Sequence, residues 1–188
     1  MRITTIALFL SACLALLGSL PAAAQGPWSL AAHVGSLEID RVVRDSGPWW
    51  ADIDDRSTAM GLSVGYEMNP TLGVRLLYER ASDLRSSNVC PPGATCPSIA
   101  IREEVDFTAW QLALVPRLPL TRNWSLFGTL GIMDWKLRRD NLLPTDSDTT
   151  LSYSVGFGWR TGLVELGLEY QRADVDYDGL RFSAGVRF

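Results

Sequence analysis

The chain has 188 residues, of which 47% are apolar, and its formal charge at pH 7 is −4. This length suits one domain, and the composition excludes both a disordered chain and a nucleic-acid binder that relies on bulk positive charge. Every cationic side chain except Lys136 is an arginine, and His33 is the one histidine in the sequence. Chemistry that needs several imidazoles is therefore excluded, and we predict no cofactor and no metal.

The first 24 residues have the features of a secretory signal that is cleaved before Gln25. Arg2 precedes an apolar run over residues 6–20, and Pro21 with three alanines follows where a signal peptidase reads small residues. The run is too short for a membrane-spanning helix. A second interpretation, lipidation of Cys13, leaves only a short apolar segment before the cysteine. We predict that residues 25–188 form the mature domain.

Two cysteines remain after cleavage, Cys90 and Cys96, and the sequence between them begins Pro-Pro-Gly. In an exported chain such a pair predicts a disulfide that closes a short loop. The other interpretation is a redox or metal site, which lacks further soft ligands nearby.

Most of the mature chain alternates apolar residues with small or charged ones, which is the period of a β-strand. Eight apolar rows predict eight strands. The rows cover residues 28–34, 60–68, 72–78, 110–114, 124–132, 153–159, 164–170 and 180–188.

Alternation alone does not say which face points outward, because a soluble barrel and a membrane barrel share this period. Three observations favour an apolar exterior. The polar face is rich in glycine and serine, which suits an enclosed space. Aromatic residues lie at both ends of the rows, as the two interfaces of a bilayer select. Short connections near residues 69–70, 119–122 and 161–162 alternate with longer ones at 39–57, 82–104, 138–149 and 173–178.

These observations predict an all-β fold, a closed eight-stranded antiparallel up-and-down transmembrane β-barrel. The barrel must close because hydrocarbon offers no hydrogen-bond partner to the edge of an open sheet. The last hairpin is expected to pair Leu168 with Phe182 and Tyr170 with Leu180, and an earlier one to pair Tyr66 with Val74.

The predicted lumen is lined by acids and arginines that should form ion pairs. Eight strands leave only enough width for their own side chains, which argues against a general porin. The network centres on Arg75, Glu79, Glu165, Glu169 and Arg181, and further candidates are Glu67, Arg117, Arg160 and Arg187. A structural plug is the first interpretation of this charged set, and a gated ion path is the second.

Other motifs give little support for chemistry. His33 has inward parity and lacks an evident nucleophile and orienting carboxylate, so we predict a hydrogen-bonding role and no catalytic residue. Asp174 to Gly179 resembles the start of a calcium loop but lacks the glutamate at position twelve, which favours a hydrated outer loop. Trp49 and Trp50 are predicted to lie in the first long loop, as a partner contact or an interface anchor.

The chain ends with a terminal phenylalanine preceded by alternating apolar residues. This end resembles the C-terminal signal of bacterial outer-membrane barrels, and the signal residues here are Phe182, Gly185, Val186 and Phe188. Residues 65–70 and 76–79 are similar to a strand-turn-strand of the small eight-stranded barrels of the OmpA membrane domain, OmpX and OmpW type. The resemblance implies outer-membrane localisation, contact with outer-membrane lipid and lipopolysaccharide, and recognition by the barrel-insertion machinery.

The predicted function is a monomeric, non-enzymatic outer-membrane barrel that serves envelope integrity or surface interaction through its loops. The first alternative is a narrow channel for ions or small solutes. The second is a lipid A-modifying enzyme, since barrel enzymes of this size depend on a histidine with a serine. That alternative would rest on His33 alone.

Overall fold

We describe the fold from a computed structural model that covers residues 26–44, 50–89, 102–139, 146–173 and 177–188. The predicted signal, Trp49, Cys90, Cys96 and residues 174–176 lie outside these ranges. Among the described residues, we find no helix with the length and apolar character needed to cross a membrane. The strands are β1 Trp28–Arg44, β2 Trp50–Asn69, β3 Leu72–Val89, β4 Arg102–Pro119, β5 Trp124–Arg139, β6 Asp146–Thr161, β7 Val164–Ala173 and β8 Tyr177–Arg187.

Each strand pairs antiparallel with the next one, and β1 pairs with β8, so the sheet closes on itself. This confirms the predicted up-and-down barrel. The register of the last hairpin is also as predicted, with Leu168 opposite Phe182. Tyr66 lies opposite Val74, which confirms the register of the earlier hairpin.

Three tight turns lie at one end of the barrel, which we call the turn end, and the opposite end is the loop end. At the first turn, the side-chain oxygen of Asn69 accepts hydrogen bonds from the backbone amide and the hydroxyl of Thr71, both at 2.9 Å. At the third turn, Gly162 has a φ of 55°, a left-handed conformation that favours glycine. The turns fall where the sequence predicts them.

The strands are longer than predicted at the loop end, and the predicted long loops are wrong in extent. The region 39–57 is mostly strand, because β1 continues to Arg44 and β2 begins at Trp50. The regions 82–104, 138–149 and 173–178 are shortened in the same way. Charged and small residues on the outer face of these extensions resemble loop composition, although the backbone pairing continues. Trp50 is therefore the first residue of a strand.

The outer wall carries an apolar band that is bounded by two rows of aromatic side chains. Trp28 packs on Tyr66 at the turn end, with ring centroids 4.9 Å apart, and Tyr78 packs on Trp110 toward the loop end at 4.8 Å. Between the rows most outward residues are large, apolar and about half exposed, as Leu114 is. This pattern matches the lipid-facing band and aromatic girdles of a membrane barrel.

Beyond the outer aromatic row, the polarity of the wall is reversed. Outward positions become polar, and we call them the collar: Ser36, Glu38, Asp40, Arg56, Thr58, Arg80, Asp106, Thr108, Asp134, Lys136, Arg138, Ser147, Thr149, Arg172 and Asp178. Inward positions at the same height become apolar and buried, as Leu37 and Leu137 are. The barrel therefore continues past the band as a cylinder with a wet outside and an apolar inside.

A charged side chain in the middle of the apolar band should destabilise the barrel. We expect Leu114→Arg to lower the free energy of unfolding by about 2–4 kcal/mol, because arginine at the bilayer midplane is poorly solvated. Urea unfolding in lipid vesicles measures this loss. Thr58→Arg, which places the same side chain in the collar, is the control and should have little effect. Equal losses for the two variants would contradict the position of the band.

Candidate functional site: the lumen

Four charged side chains meet in the middle of the lumen and form what we call the ionic quartet: Arg75, Glu79, Glu169 and Arg181. Parity explains why they point inward, since each occupies an inward position in the alternation of its strand. Glu169 and Arg181 are cross-strand neighbours on β7 and β8. Glu79 and Glu169 are each 3% exposed and Arg181 is 2% exposed, so these three side chains are excluded from bulk water, whereas Arg75 is part-buried.

The quartet is held by charge-assisted hydrogen bonds that cross the lumen. Arg75 donates both terminal nitrogens to Glu169, at 2.8 and 2.7 Å, in the bidentate geometry that suits a guanidinium. Arg181 donates to Glu79 at 3.1 Å, and its other terminal nitrogen lies 3.7 Å from Glu169. Two acids and two arginines thus neutralise each other in a space that would penalise any unpaired charge.

A second group of charges, the turn-end cluster, lies closer to the turns. Glu67 pairs with Arg160 and Arg187, and Glu165 pairs with Arg117 at 2.8 Å and with Arg160 at 3.2 Å. These residues are part-buried, so they are more exposed than the quartet. The structure therefore divides the predicted network in two, and Glu165 belongs to the turn-end cluster.

The partner of Arg75 differs from the one that the register alone suggested. The predicted pairing of Tyr66 with Val74 puts Arg75 opposite Gly65, with Glu67 as its diagonal neighbour, and the structure has this register. Its guanidinium nevertheless extends across the lumen to Glu169, while Glu67 is engaged by arginines of other strands. Neighbouring-strand geometry predicts which face a side chain occupies, but a long arginine in a narrow lumen can reach the far wall.

Above the quartet, the loop-end half of the lumen is filled by apolar side chains, and we call this layer the apolar plug. It consists of Leu37, Ile39, Ile53, Ala59, Ala81, Leu84, Val105, Phe107, Ala109, Met133, Trp135, Leu137, Ala173 and Tyr177. The expectation of a lumen lined by ionic side chains along its whole length is therefore wrong. It holds for the half that the lipid-facing band surrounds, and it fails where the outer wall is polar.

Tyr177 joins the plug to the quartet. Its ring packs on Phe107 with centroids 5.7 Å apart, and its hydroxyl donates a hydrogen bond to Glu79 at 3.0 Å. Tyr177 lies beyond the outer aromatic row, outside the lipid-facing band.

Small residues on the inner face of the turn-end half leave room for larger side chains. A Cβ on Gly156 would lie 2.6 Å from both the Phe127 ring and the Leu168 carbonyl oxygen, so no larger residue fits there. A cavity of about 80 Å³ remains near the turn end, and its lining includes Glu67, Arg75 and Arg117. Its polar lining and size suit several water molecules.

His33 lies on the inner face of β1, where it is buried. Its Nε2 lies 2.7 Å from the hydroxyl oxygen of Ser63, which confirms the predicted hydrogen-bonding role in the lumen. The sequence analysis missed Ser63, although the pairing of His33 with Gly61 makes this serine its diagonal neighbour. Among the described residues Nδ1 has no hydrogen-bond partner, and none of them supplies the carboxylate that orients the imidazole in a catalytic triad.

Two further polar contacts fill the lumen wall opposite His33, and the sequence analysis did not single them out. Gln111 donates to Ser152 at 2.8 Å, and the hydroxyls of Thr129 and Ser154 lie 2.6 Å apart. All four have inward parity, which is the signal that places them. Parity does not predict which of them bind each other, because each inward donor has several inward hydroxyl or amide groups within reach as possible partners.

The C-terminal residues form the part of β8 that runs to the turn end and closes the barrel against β1. Phe182 lies opposite Val34 on β1, and Phe188 exchanges backbone hydrogen bonds with Trp28 at 3.2 and 2.9 Å. Both phenylalanine side chains are partly exposed on the lipid-facing wall, while Gly185 lies on the inner face beside Ala31.

A closed antiparallel wall, an apolar band between aromatic rows and a charged lumen define an eight-stranded membrane β-barrel. Residues 10–188 match the sequence model of the outer membrane protein beta-barrel domain, and the chain belongs to that family. The protein is accordingly a bacterial outer-membrane protein, in which short turns face the periplasm and longer loops face outward.

Solved structures of other outer-membrane barrels share the fold. Neisserial surface protein A is 12% identical with a TM-score of 0.61, and the match covers 87% of this chain and 98% of that one. OprG of Pseudomonas aeruginosa is 11% identical with a TM-score of 0.61, and the match covers 89% and 98%. Ail of Yersinia pestis, in complex with a heparin analogue, is 19% identical with a TM-score of 0.52, covering 86% and 99%. No curated protein sequence matches the chain.

Removing one acid of the quartet should lower the free energy of unfolding far more than removing an acid of the collar. We expect Glu169→Ala to lower the free energy of unfolding by about 3–5 kcal/mol, because it leaves Arg75 and Arg181 buried without their shared carboxylate. Glu38→Ala removes the exposed partner of Arg56 and is the matched control, with a much smaller expected loss. Urea unfolding in vesicles compares the two variants, and equal losses would show that the quartet is not desolvated.

Proposed function

We propose that this protein is a non-enzymatic outer-membrane barrel with a sealed lumen, which supports envelope integrity and presents its collar and loops to partners outside the cell. The observation that carries the proposal is the stacking of the apolar plug on the ionic quartet. Any solute that enters from the turn end meets paired charges and then a layer of predominantly apolar side chains.

The two layers oppose conduction for different physical reasons. Eight strands leave a lumen that side chains alone can fill, and here buried arginines and acids occupy its middle. Above them, Phe107, Met133 and Leu137 remove the water that an ion needs for solvation. The periplasmic cavity of about 80 Å³ is then a blind vestibule in this proposal.

The role in surface interaction rests on the part of the barrel beyond the lipid-facing band. Its outer face is polar, and ion pairs such as Arg80 with Asp106, 3.1 Å apart, cover it. The interior of this part is apolar and packed like the core of a soluble barrel. It therefore gives the collar and the loops above it a rigid scaffold.

Three further expectations belong to the same proposal. We infer that the insertion machinery reads the C-terminal strand, and the partly exposed Phe182 and Phe188 support this. We infer that Cys90 and Cys96 form a disulfide that closes a short loop within the segment that connects β3 and β4. We infer a monomer whose wall contacts outer-membrane lipid and lipopolysaccharide.

The purified protein should not conduct ions. In planar bilayers we expect no steady channel currents from the wild type, because both layers interrupt the water column. Glu79→Ser with Arg181→Ser removes an ion pair and should remain silent, since the plug stays in place. Only the addition of Phe107→Ala and Leu137→Ala should open a path.

A shift of gel mobility on boiling verifies that each variant is a folded barrel. Steady single-channel steps from the wild type would overturn the sealed lumen and favour the narrow channel. Steps from the Glu79 and Arg181 double variant alone would show that the quartet is the sole barrier.

His33 should have no role in lipid modification. We expect cells that express His33→Ala to carry the same lipid A as wild-type cells, because the imidazole is enclosed within the lumen and the wall separates it from lipid. Mass spectrometry of extracted lipid A makes the comparison, with Ser63→Ala as a parallel variant. A change in acylation that depends on both residues would instead favour the barrel-enzyme alternative.

A further inference from the structure

The cavity of about 80 Å³ near the turn end is lined by polar side chains from several strands. His33 of β1, Arg75 of β3 and Arg117 of β4 belong to its wall, and Ser29 and Ser183 add hydroxyl groups. Its volume has room for several water-sized atoms. Because the short turns of such a barrel face the periplasm, a ligand of this cavity would come from that compartment.

Three donors in this wall lack a good acceptor within the part of the chain that the structure describes. Both terminal nitrogens of Arg75 are used in the quartet, and its buried Nε has no partner. Nδ1 of His33 is also buried without a partner, and it can donate when the Ser63 hydroxyl donates to Nε2. One terminal nitrogen of Arg117 lies 3.7 Å from Glu67, which is longer than a hydrogen bond. Buried donors are rarely left unpaired, so these three indicate a ligand with several acceptor atoms.

The side chains around this cavity carry an excess of positive charge. In the turn-end cluster three arginines share two carboxylates, those of Glu67 and Glu165. Arg122 is exposed in the turn between β4 and β5 and adds another positive charge. Between the quartet and the turns, the described residues include no third acid. The chain as a whole is net negative, at −4, so its positive turn end favours an anion.

We propose that this cavity binds one small oxyanion of about the size of phosphate. The anion accepts hydrogen bonds from Nε of Arg75, from Arg117 and from Nδ1 of His33, and it offsets the excess charge of the turn-end cluster. Several acceptor oxygens on one compact anion match donors that come from three strands. The inference goes beyond the sealed lumen, because it gives the cavity a ligand and does not depend on whether ions can pass the quartet.

Nuclear magnetic resonance of the imidazole tests the site directly. His33 is the one histidine in the sequence, so isotope-labelled histidine gives the signals of a single imidazole. The full protein, without an added tag, is placed in bilayer discs of phosphatidylcholine and titrated with inorganic phosphate. The Nδ1 signal should shift and then saturate, because phosphate binds beside it. Sodium chloride at matched ionic strength should not produce a saturable shift.

Two arginine variants separate a contact in the cavity from the general charge of this end. Arg117→Gln should raise the phosphate concentration at half saturation about tenfold or more, because a hydrogen bond to a charged group contributes at least that factor. Arg122→Gln removes an exposed cation of the same end that is outside the cavity wall. It should have little effect, because water and salt screen its charge.

Two serine variants test whether the space is needed. Ser29→Leu fills part of the cavity and should abolish the saturable shift. Ser125→Leu adds the same side chain to the turn end of β5, outside the cavity wall, and should keep the shift. Because a ligand of the folded state raises its stability, phosphate should raise the urea midpoint of the wild type and of Ser125→Leu, but not that of Ser29→Leu.

The absence of a saturable shift in the wild type would overturn the proposal, and water alone would then occupy the cavity. Equal affinities for Arg117→Gln and Arg122→Gln would also overturn it. A shift on adding phosphatidylglycerol without free phosphate would contradict it too, since the anion would then be a lipid headgroup. Every variant must keep its gel shift on boiling. The experiment measures binding, so a negative result would leave the conductance experiment unaffected.

Discussion

The structure depends on one constraint, that every backbone hydrogen-bonding group inside the bilayer must find a partner within the protein. Hydrocarbon supplies none, and each unsatisfied group costs several kcal/mol. The pairing of β1 with β8, from Ser29 opposite Arg187 to Ile39 opposite Tyr177, removes the two edges that an open sheet would leave. Closure with eight strands then sets the lumen width, so side chains must fill it. The filling of the lumen by side chains is in this sense a consequence of the number of strands.

The side chains in the lumen change from charged to apolar at the height where the outer face of the wall passes from lipid into water. Inside the bilayer the outer face must be apolar, and the small lumen holds arginines and acids that neutralise each other, as Arg75 and Glu169 do. Beyond the bilayer the outer face meets water, and apolar residues such as Leu37 and Ile53 are then driven inward by the hydrophobic effect. The protruding cylinder therefore has a source of stability that does not depend on lipid. This explains how strands such as β2, at 20 residues, extend well past the band.

Much of this architecture can be predicted from the sequence, because a period of two assigns each residue to a face. The same parity gives the register of hairpins with tight turns, such as Leu168 opposite Phe182. It cannot give pairs across the lumen, since Arg75 and Glu169 are 94 residues apart and several inward acids were equally suitable. The polarity switch was readable in principle, because Leu37 and Ile39 share the parity of His33. It was missed because Glu38, Asp40 and Arg56 on the outer face look like loop residues.

The boundary between the two halves of the lumen is itself stabilised by a specific residue. A layer of paired charges against an apolar layer would leave polar atoms facing hydrocarbon, which is unfavourable unless they are hydrogen-bonded. Tyr177 resolves this conflict, because its ring belongs to the plug beside Phe107 while its hydroxyl satisfies Glu79. Glu79 in turn accepts a hydrogen bond from Arg181, so one carboxylate links the plug, the quartet and β8. The strand β8 therefore has two roles. It pairs with β1 to close the wall, and its residues Tyr177 and Arg181, four positions apart, both bind Glu79 inside the lumen.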